Sequence, residues 1–249
     1  MATISVKDVS RAYPLPGGGE RLALEGIDLE VADGEFLCLL GPSGCGKTTL
    51  LNILSGLDRA DSGTVEVRST DGADVVSGYM FQEPRLLPWL TVRANIGFVL
   101  DDAGRRDTRR IDSWLERVGL AGRGNDYPRQ LSIGQRQRVA VARALIIEPD
   151  VLFMDEPFSS LDELTASRMR EELLVLWGEL GCTVVFVTHN PMEATFLADR
   201  IAVMSPGPGC IVETYSVGEL LPRPRDPEDR RLWEASRVAV RALRQRAST

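Results

Sequence analysis

Residues 36–49 read Phe36-Leu37-Cys38-Leu39-Leu40, then Gly41-Pro42-Ser43-Gly44-Cys45-Gly46-Lys47-Thr48-Thr49. Five consecutive apolar residues predict a strand buried on both faces, and Leu50, Leu51, Ile53 and Leu54 carry the spacing of an apolar helix face. A glycine-rich loop between a strand and a helix lets backbone N–H groups converge on phosphate oxygens, with the partial positive charge of the helix start behind them. In that context the Lys47 ammonium reaches the β- and γ-phosphates of a nucleotide, and the Thr48 hydroxyl ligates Mg²⁺. Gly41, Pro42, Ser43, Gly44, Cys45, Gly46, Lys47, Thr48 and Thr49 are therefore the expected nucleotide-binding residues. The rival reading is a glycine-rich turn with an incidental lysine. Composition speaks against it: 27 of the 29 basic residues are arginine, and Lys7 and Lys47 are the only lysines. The loop holds a compact ammonium in a chain that otherwise uses guanidinium. Cys45 fills a free position of the motif, where alkylation of its thiol is expected to block nucleotide entry.

Outward from this loop, short segments rich in Val, Ile and Leu predict strands at 3–9, 21–31, 35–40, 63–68, 75–81, 150–155, 183–188, 200–204 and 210–214. Helical patterns fall at 47–57, 108–119, 134–147, 163–180 and 191–198. Strand–helix alternation with fully apolar strands such as Val151-Leu152-Phe153-Met154 argues for an α/β fold with a buried, mostly parallel sheet. The strand-rich first third suggests an added antiparallel β portion, and residues 83–146 read as an inserted helical subdomain. The expected organisation is a main domain over 1–221 and a basic C-terminal tail over 222–249. That tail holds eight arginines against four acids, a net +4 on a chain whose net charge is −7. Pro222-Arg223-Pro224-Arg225 reads as an extended linker. Residues 228–246 then form a helix with Leu232, Ala235, Ala239 and Leu243 on one face, packed on the surface or docked on anionic lipid or a membrane partner.

The acidic balance excludes a protein whose main task is coating nucleic acid. A single histidine, His189, excludes multi-histidine zinc chemistry. Cys38, Cys45, Cys182 and Cys210 show no CxxC spacing, and MATISVKDVS lacks the basic and apolar regions of a signal peptide. A reducing, cytoplasmic address with free thiols is expected. No apolar run approaches the roughly 20 residues that a membrane span requires.

A second motif, Val151-Leu152-Phe153-Met154-Asp155-Glu156-Pro157, is an apolar strand ending in two acids. Neighbouring residues on a strand point to opposite faces, so the acids cannot both act from regular geometry. Pro157 lets the chain turn. Asp155 then suits the Mg²⁺ shell, and Glu156 suits polarising an attacking water. Solvated acids at a strand end would explain either residue alone, but not the pair behind four apolar residues.

Leu131-Ser132-Ile133-Gly134-Gln135, continued by Arg136-Gln137-Arg138-Val139-Ala140-Val141-Ala142-Arg143-Ala144-Leu145, lies 19 residues before that strand. It resembles the signature motif and following helix of ABC-transporter ATPase subunits, with Ile133 in place of the first of the paired glycines. Ser132 also reads as a helix N-cap. The resemblance spans roughly residues 3–220 and implies a RecA-like P-loop NTPase fold that hydrolyses ATP with Mg²⁺. It implies that Ser132 and Gly134, beside Gln135, approach the γ-phosphate bound on a second copy. Tyr13 matches the aromatic residue that stacks on adenine, Gln82 the Q-loop glutamine at Mg²⁺ and water, and Asp162 in Ser159-Ser160-Leu161-Asp162 the D-loop acid. His189, after Val184-Val185-Phe186-Val187-Thr188, matches the switch histidine at the γ-phosphate. Lys47, Gln82, Glu156 and His189 are thus the expected catalytic set, and Thr48, Gln82 and Asp155 the expected metal ligands.

Phe81-Gln82-Glu83-Pro84-Arg85-Leu86-Leu87-Pro88-Trp89-Leu90-Thr91-Val92 is similar to the corresponding segment of nitrate, sulfonate and taurine importer ATPases. So are Met204-Ser205-Pro206-Gly207-Pro208-Gly209 and Leu221-Pro222-Arg223-Pro224-Arg225-Asp226. This branch implies a peripheral subunit on the cytoplasmic face of the inner membrane. Its partners would be a second copy in a head-to-tail ATP sandwich, integral membrane permease subunits and, indirectly, a periplasmic-type solute-binding protein, with no nucleic acid. The Leu86–Trp89 stretch is expected to line a groove for a permease helix. The alternative is a soluble ABC ATPase acting as an assembly scaffold or DNA-handling factor; a metabolic kinase is disfavoured by the signature helix.

Overall fold

The computed structural model describes residues 2–246. In chain order it forms β1 (Ala2–Pro14), β2 (Glu20–Val31), β3 (Phe36–Leu40), α1 (Lys47–Leu54), β4 (Ser62–Ser69), β5 (Ser77–Met80), α2 (Val92–Gly97), α3 (Asp102–Arg106) and α4 (Thr108–Arg117). There follow α5 (Ile133–Leu145), β6 (Val151–Asp155), α6 (Glu163–Leu180), β7 (Thr183–Thr188), α7 (Pro191–Leu197), β8 (Arg200–Met204), β9 (Ile211–Ser216), α8 (Val217–Leu220) and α9 (Arg230–Arg246). The α/β class is the one expected. The chain divides into two units: one runs through Val75 and resumes at Gly181, and the other is Val76–Leu180.

In the first unit β1 lies between β2 and β4, antiparallel to both. Its alternation of buried and exposed residues is regular as far as Val6 and then breaks at register shifts between Val6 and Val9, Val9 and Arg11, and Arg11 and Ala12. A period-2 pattern cannot be followed across such bulges, which is why the strand outruns the segment 3–9 legible in the sequence. The central strand is β3, parallel to β7 on one side and β8 on the other, with β9 antiparallel to β8. Every residue of β3 and β7 is buried, as the uninterrupted apolar runs require, and the Phe36 and Phe186 rings meet at 6.0 Å between centroids.

The second unit pairs β5 parallel to β6 and packs α5 on β5 and α2. In α4, Ile111, Trp114 and Leu115 are the buried face, the i, i+3, i+4 spacing of an amphipathic helix. α2, α3 and α8 have six, five and four residues, too few for a 3.6-residue period to repeat, and none was expected from the sequence. Among the described residues no helix is long and apolar enough to cross a membrane.

The segment expected as an extended linker is instead bound down within the first unit. Arg225 is 8% exposed, and α9 packs on α7 and β8. Leu232, Ser236 and Ala239 are the buried face of α9, while Ala235 is half-buried and Trp233 exposed. The linker reading failed because a Pro-Arg repeat looks solvated until its guanidinium groups find buried carbonyls.

Candidate functional site

In the first unit, Leu40 of β3 lies opposite Thr188 of β7, so the chain leaves these neighbouring strands at the same end as Gly41 and His189. The Gly41 amide donates to the Thr188 carbonyl at 3.4 Å. The carboxyl ends of parallel strands are where such sheets bind ligands. Gly46, the N-cap of α1, has φ 96°, and a Cβ there would stand 2.7 Å from Leu24 Cδ2 and 2.8 Å from the Ala23 carbonyl oxygen. Only glycine accepts both the left-handed backbone and the close approach. The cap has no side chain to occupy the amides of the first turn of α1, which suits an anion. Lys47 is buried, and its Nζ donates to the carbonyls of Gly41 (2.8 Å) and Pro42 (2.9 Å), bridging the loop from inside. Pro42, Ser43, Gly44 and Thr48 are exposed and Thr49 is half-buried. These features fit the phosphates of a nucleotide.

Cys45 corrects one expectation. It is 1% exposed and faces inward, with Sγ 2.6 Å from where a Gly41 Cβ would lie, so its thiol is not presented for alkylation. Behind it runs the 205–210 loop. The Gly209 amide donates to the Ala23 carbonyl (2.9 Å), and its carbonyl accepts from Glu25 N–H (3.0 Å). A Cβ on Gly209 would lie 2.1 Å from the Cys45 carbonyl oxygen. Ser205 Oγ closes the loop by donating to the Pro208 carbonyl and accepting from Cys210 N–H, both at 3.0 Å.

Tyr13 on β1 donates its hydroxyl to Asp58 (2.7 Å), and the Arg11 guanidinium lies 4.8 Å from its ring centroid. Arg11 also pairs with Asp58 and Asp61. The Tyr13 hydrogen bond, then the Arg59 amide, hold the Asp58 carboxyl below its ordinary value. Arg11 is registered against Leu24, the residue that packs on Gly46, so the ladder brings the Tyr13 strand to the phosphate loop. His189 is exposed and precedes Asn190, whose side chain caps α7 by accepting from Met192 and Glu193 amides. Thr188 Oγ1 donates to the buried Glu193 carboxylate at 2.6 Å.

In the second unit Asp155, 7% exposed, ends β6. Glu156 follows at φ 41°, a left-handed conformation unusual for a non-glycine residue, so the two carboxylates leave the strand differently, as the motif requires. Ser159 Oγ donates to the Glu156 carbonyl (2.9 Å) and accepts from Gln82 Nε2 (3.3 Å), a chain from the Q-loop to the strand end. Ser159 was not among the expected site residues; only its position in the D-loop could have flagged it. Burial, then the charge of Asp155, push the Tyr79 phenol well up. Ser132 caps α5: its Oγ accepts from the Gln135 amide at 3.3 Å, and Gln135 Oε1 accepts from the Ser132 amide at 3.0 Å. A Cβ on Gly134 would lie 3.1 Å from Thr165 Cγ2, and the Thr165 amide donates to Asp162 (3.0 Å), so signature and D-loop meet here. That bond lowers the Asp162 pKa. Ile133 is 47% exposed, turned away from the core.

The same unit opens a groove of about 630 Å³ lined by Leu87, Trp89, Leu90, Phe98 and Ile111, with Arg93 and Arg105 among its walls. Trp89 is 70% exposed. Beneath it Asn95 is fully buried, accepts from the Leu87 amide (2.8 Å), and donates to the carbonyls of Leu87, Leu90 and Thr91.

A family model described as ABC transporter matches residues 24–159. The chain belongs to this family. As an ABC ATPase it binds nucleotide and hydrolyses ATP. It is 42% identical over 229 residues to the aliphatic sulfonates import ATP-binding protein SsuB of Bacillus subtilis (strain 168), covering 91% of this chain and 89% of that one. It is 40% identical over 222 residues to the taurine import ATP-binding protein TauB of Pelagibacter ubique (strain HTCC1062), covering 87% and 84%. Among solved structures it is similar to the ATP-binding cassette MJ0796, a dimer in a post-hydrolysis state bound to ADP and Pi. There the TM-score is 0.73 at 31% identity, over 86% of this chain and 98% of that one.

Proposed function

We propose that this chain is the ATP-hydrolysing subunit of an importer for a small anion, of the sulfonate, taurine or nitrate kind. The observation that carries the reading is its 40–45% identity, across most of its length, to import ATP-binding proteins for aliphatic sulfonates and taurine. That likeness speaks for the importer and not for a scaffold or DNA-handling ATPase. The chain works as a head-to-tail pair with a second copy, a reading supported by the dimeric cassettes it resembles. It lies on the cytoplasmic face of the inner membrane against a permease, fed by a solute-binding protein. The apolar groove around Leu87 and Trp89 suits a permease helix.

The residues take the following roles. Lys47 and the 41–49 loop, through its available backbone N–H groups, bind the phosphates, and Tyr13 meets the adenine. Glu156 takes a proton from the attacking water, with its backbone held by Ser159. Gln82, tied to the same serine, reports on that water. His189 contacts the γ-phosphate, and Ser132 and Gly134, with Gln135 and Asp162 beside them, face the nucleotide on the partner copy. Thr48, Gln82 and Asp155 would hold Mg²⁺, which when bound neutralises charge on the β- and γ-phosphates. Their hydroxyl, carboxamide and carboxylate oxygens are the hard donors this cation prefers.

The test is reconstitution with a candidate permease and binding protein from the same genome, followed by uptake of labelled ethanesulfonate, taurine, nitrate and bicarbonate. ATP-dependent uptake of one anion, abolished by Glu156→Gln, is expected. Purification with soluble partners alone, and no uptake of any of the four, would overturn the importer reading.

A further inference from the structure

α7 (Pro191–Leu197) has seven residues, so the carbonyls of its last turn weigh heavily in its stability. The Ala198 amide takes the Ala194 carbonyl at 3.0 Å. The next four carbonyls, Thr195 to Ala198, all receive donors from one tetrapeptide, Pro222-Arg223-Pro224-Arg225. Arg225 Nη1 donates to Thr195 (2.8 Å), Phe196 (3.0 Å) and Ala198 (2.7 Å), and its Nε to Leu221 (2.7 Å). Arg223 Nη2 donates to Leu197, and its Nη1 pairs with Asp199. Asp199 in turn accepts from the Phe36 amide (3.0 Å) at the start of β3.

This is an unusual investment for a tail. Arg225 is 8% exposed and its Nη2 is buried with no hydrogen-bond partner. Burial, reinforced by Arg223, pushes the guanidinium down to about 10, with Asp199 opposing. A cation suits the negative end of a helix, but packing alone would be met by an apolar residue without the desolvation. What the arrangement adds is direction: the planar guanidinium, anchored through Nε on Leu221, aims Nη1 at three carbonyls and so fixes where the helix end sits. Its other end begins directly after His189, where Asn190 caps the first turn and Thr188 binds Glu193.

We propose that Arg223 and Arg225 are positioning residues for His189: by closing all four terminal carbonyls of α7 they fix the helix, and with it the backbone that carries the histidine. The inference rests on the reading that His189 contacts the γ-phosphate. It also gives a role to the Leu221–Asp226 segment, which the assigned functions leave unexplained.

His189 is the chain's only histidine, so its imidazole resonances are observable without assignment. In the full chain they are expected to shift when Mg²⁺ and a slowly hydrolysed ATP analogue are added, and not with Mg·ADP. In Arg225→Met that γ-phosphate-dependent shift should be lost, and hydrolysis should fall about tenfold at saturating ATP. Analogue affinity should stay within threefold, because the phosphate loop is untouched. Arg225→Lys, which keeps the charge and loses the fork, should fall between the two. Should the Met variant fail to fold, the Lys variant carries the same readouts. In a His189→Ala background, Arg225→Lys should cost no further activity. An unchanged shift and rate in folded Arg225→Met or Arg225→Lys would overturn the positioning role while leaving His189 in place. Full activity in His189→Ala, with no analogue-dependent shift in the parent, would overturn the reading of His189 and this inference with it.

Discussion

On the roles proposed for them, the phosphate loop of the first unit and the carboxylate end of β6 in the second are built from opposite materials. The loop is backbone, with a left-handed glycine at 46, inward-facing Cys45 and Lys47, and Gly209 close behind. The strand end is side chain, with Asp155 and Glu156 on a strained turn and Ser159 and Gln82 strung beside them. A region built from backbone is sensitive to volume, since one added methyl displaces it. A region built from carboxylates is sensitive to charge and tolerates isosteric replacement structurally while losing its chemistry. On the proposed roles, the difference separates holding ATP from hydrolysing it.

The largest effect is expected from Glu156→Gln, which keeps shape and removes a base. Turnover should fall about 10²- to 10⁴-fold with ATP affinity retained, as measured by phosphate release and nucleotide titration. Near-normal hydrolysis would break the separation. Lys47→Ala is the complementary case: losing a charged donor of about 1.5–3 kcal/mol should weaken ATP binding some tenfold or more, and unchanged affinity in an equilibrium titration would remove the lysine from the cradle. Gly209→Ala tests the sensitivity to volume without touching a phosphate. Its Cβ meets the Cys45 carbonyl, so a stability loss of about 1–3 kcal/mol and a raised KM for ATP are expected from urea melts and steady-state kinetics. Ser159→Ala removes the link between Gln82 and Glu156. It should lower kcat several-fold with KM unchanged, in line with about 1 kcal/mol per hydrogen bond, and an effect on KM alone would assign the serine to binding. The smallest effect is electrostatic. Asp58 and Asp61 titrate below their ordinary 3.8 in the folded chain, held down first by Tyr13 and by the Ala12 amide respectively. The stability they contribute is complete above that value and is lost as pH falls through the lowered pKa values. Tyr13→Phe should flatten this acid limb of a urea-stability profile, and an unaltered limb would show that the hydroxyl carries no part of it.

The parts of this division that could be read in the sequence were those with local periodicity or fixed spacing. The fully apolar runs 36–40, 151–154 and 184–187 declared buried parallel strands, and the loop at 41–49 declared a phosphate cradle by its place between strand and helix. Contacts between residues far apart in the chain were not readable. Nothing near Gly209 announces that it backs onto Cys45, and the burial of Cys45 depends on which way a loop residue faces. Arg225 closes carbonyls 27 to 30 positions earlier, and its Pro-Arg surroundings have the composition of a linker. Short helices such as α3 escaped for a different reason, since five residues complete little more than one turn.

Asn95 turns the segment beneath Trp89 into a mechanical part. One buried carboxamide holds residues 87, 90 and 91 by four hydrogen bonds, so the loop that bears the exposed indole is stiff before anything docks on it. A floppy loop would absorb a displacement as disorder. With Asn95 a residue of α2, these bonds tie the loop to that helix, so a push on Trp89 would be carried to α2 as along a lever arm.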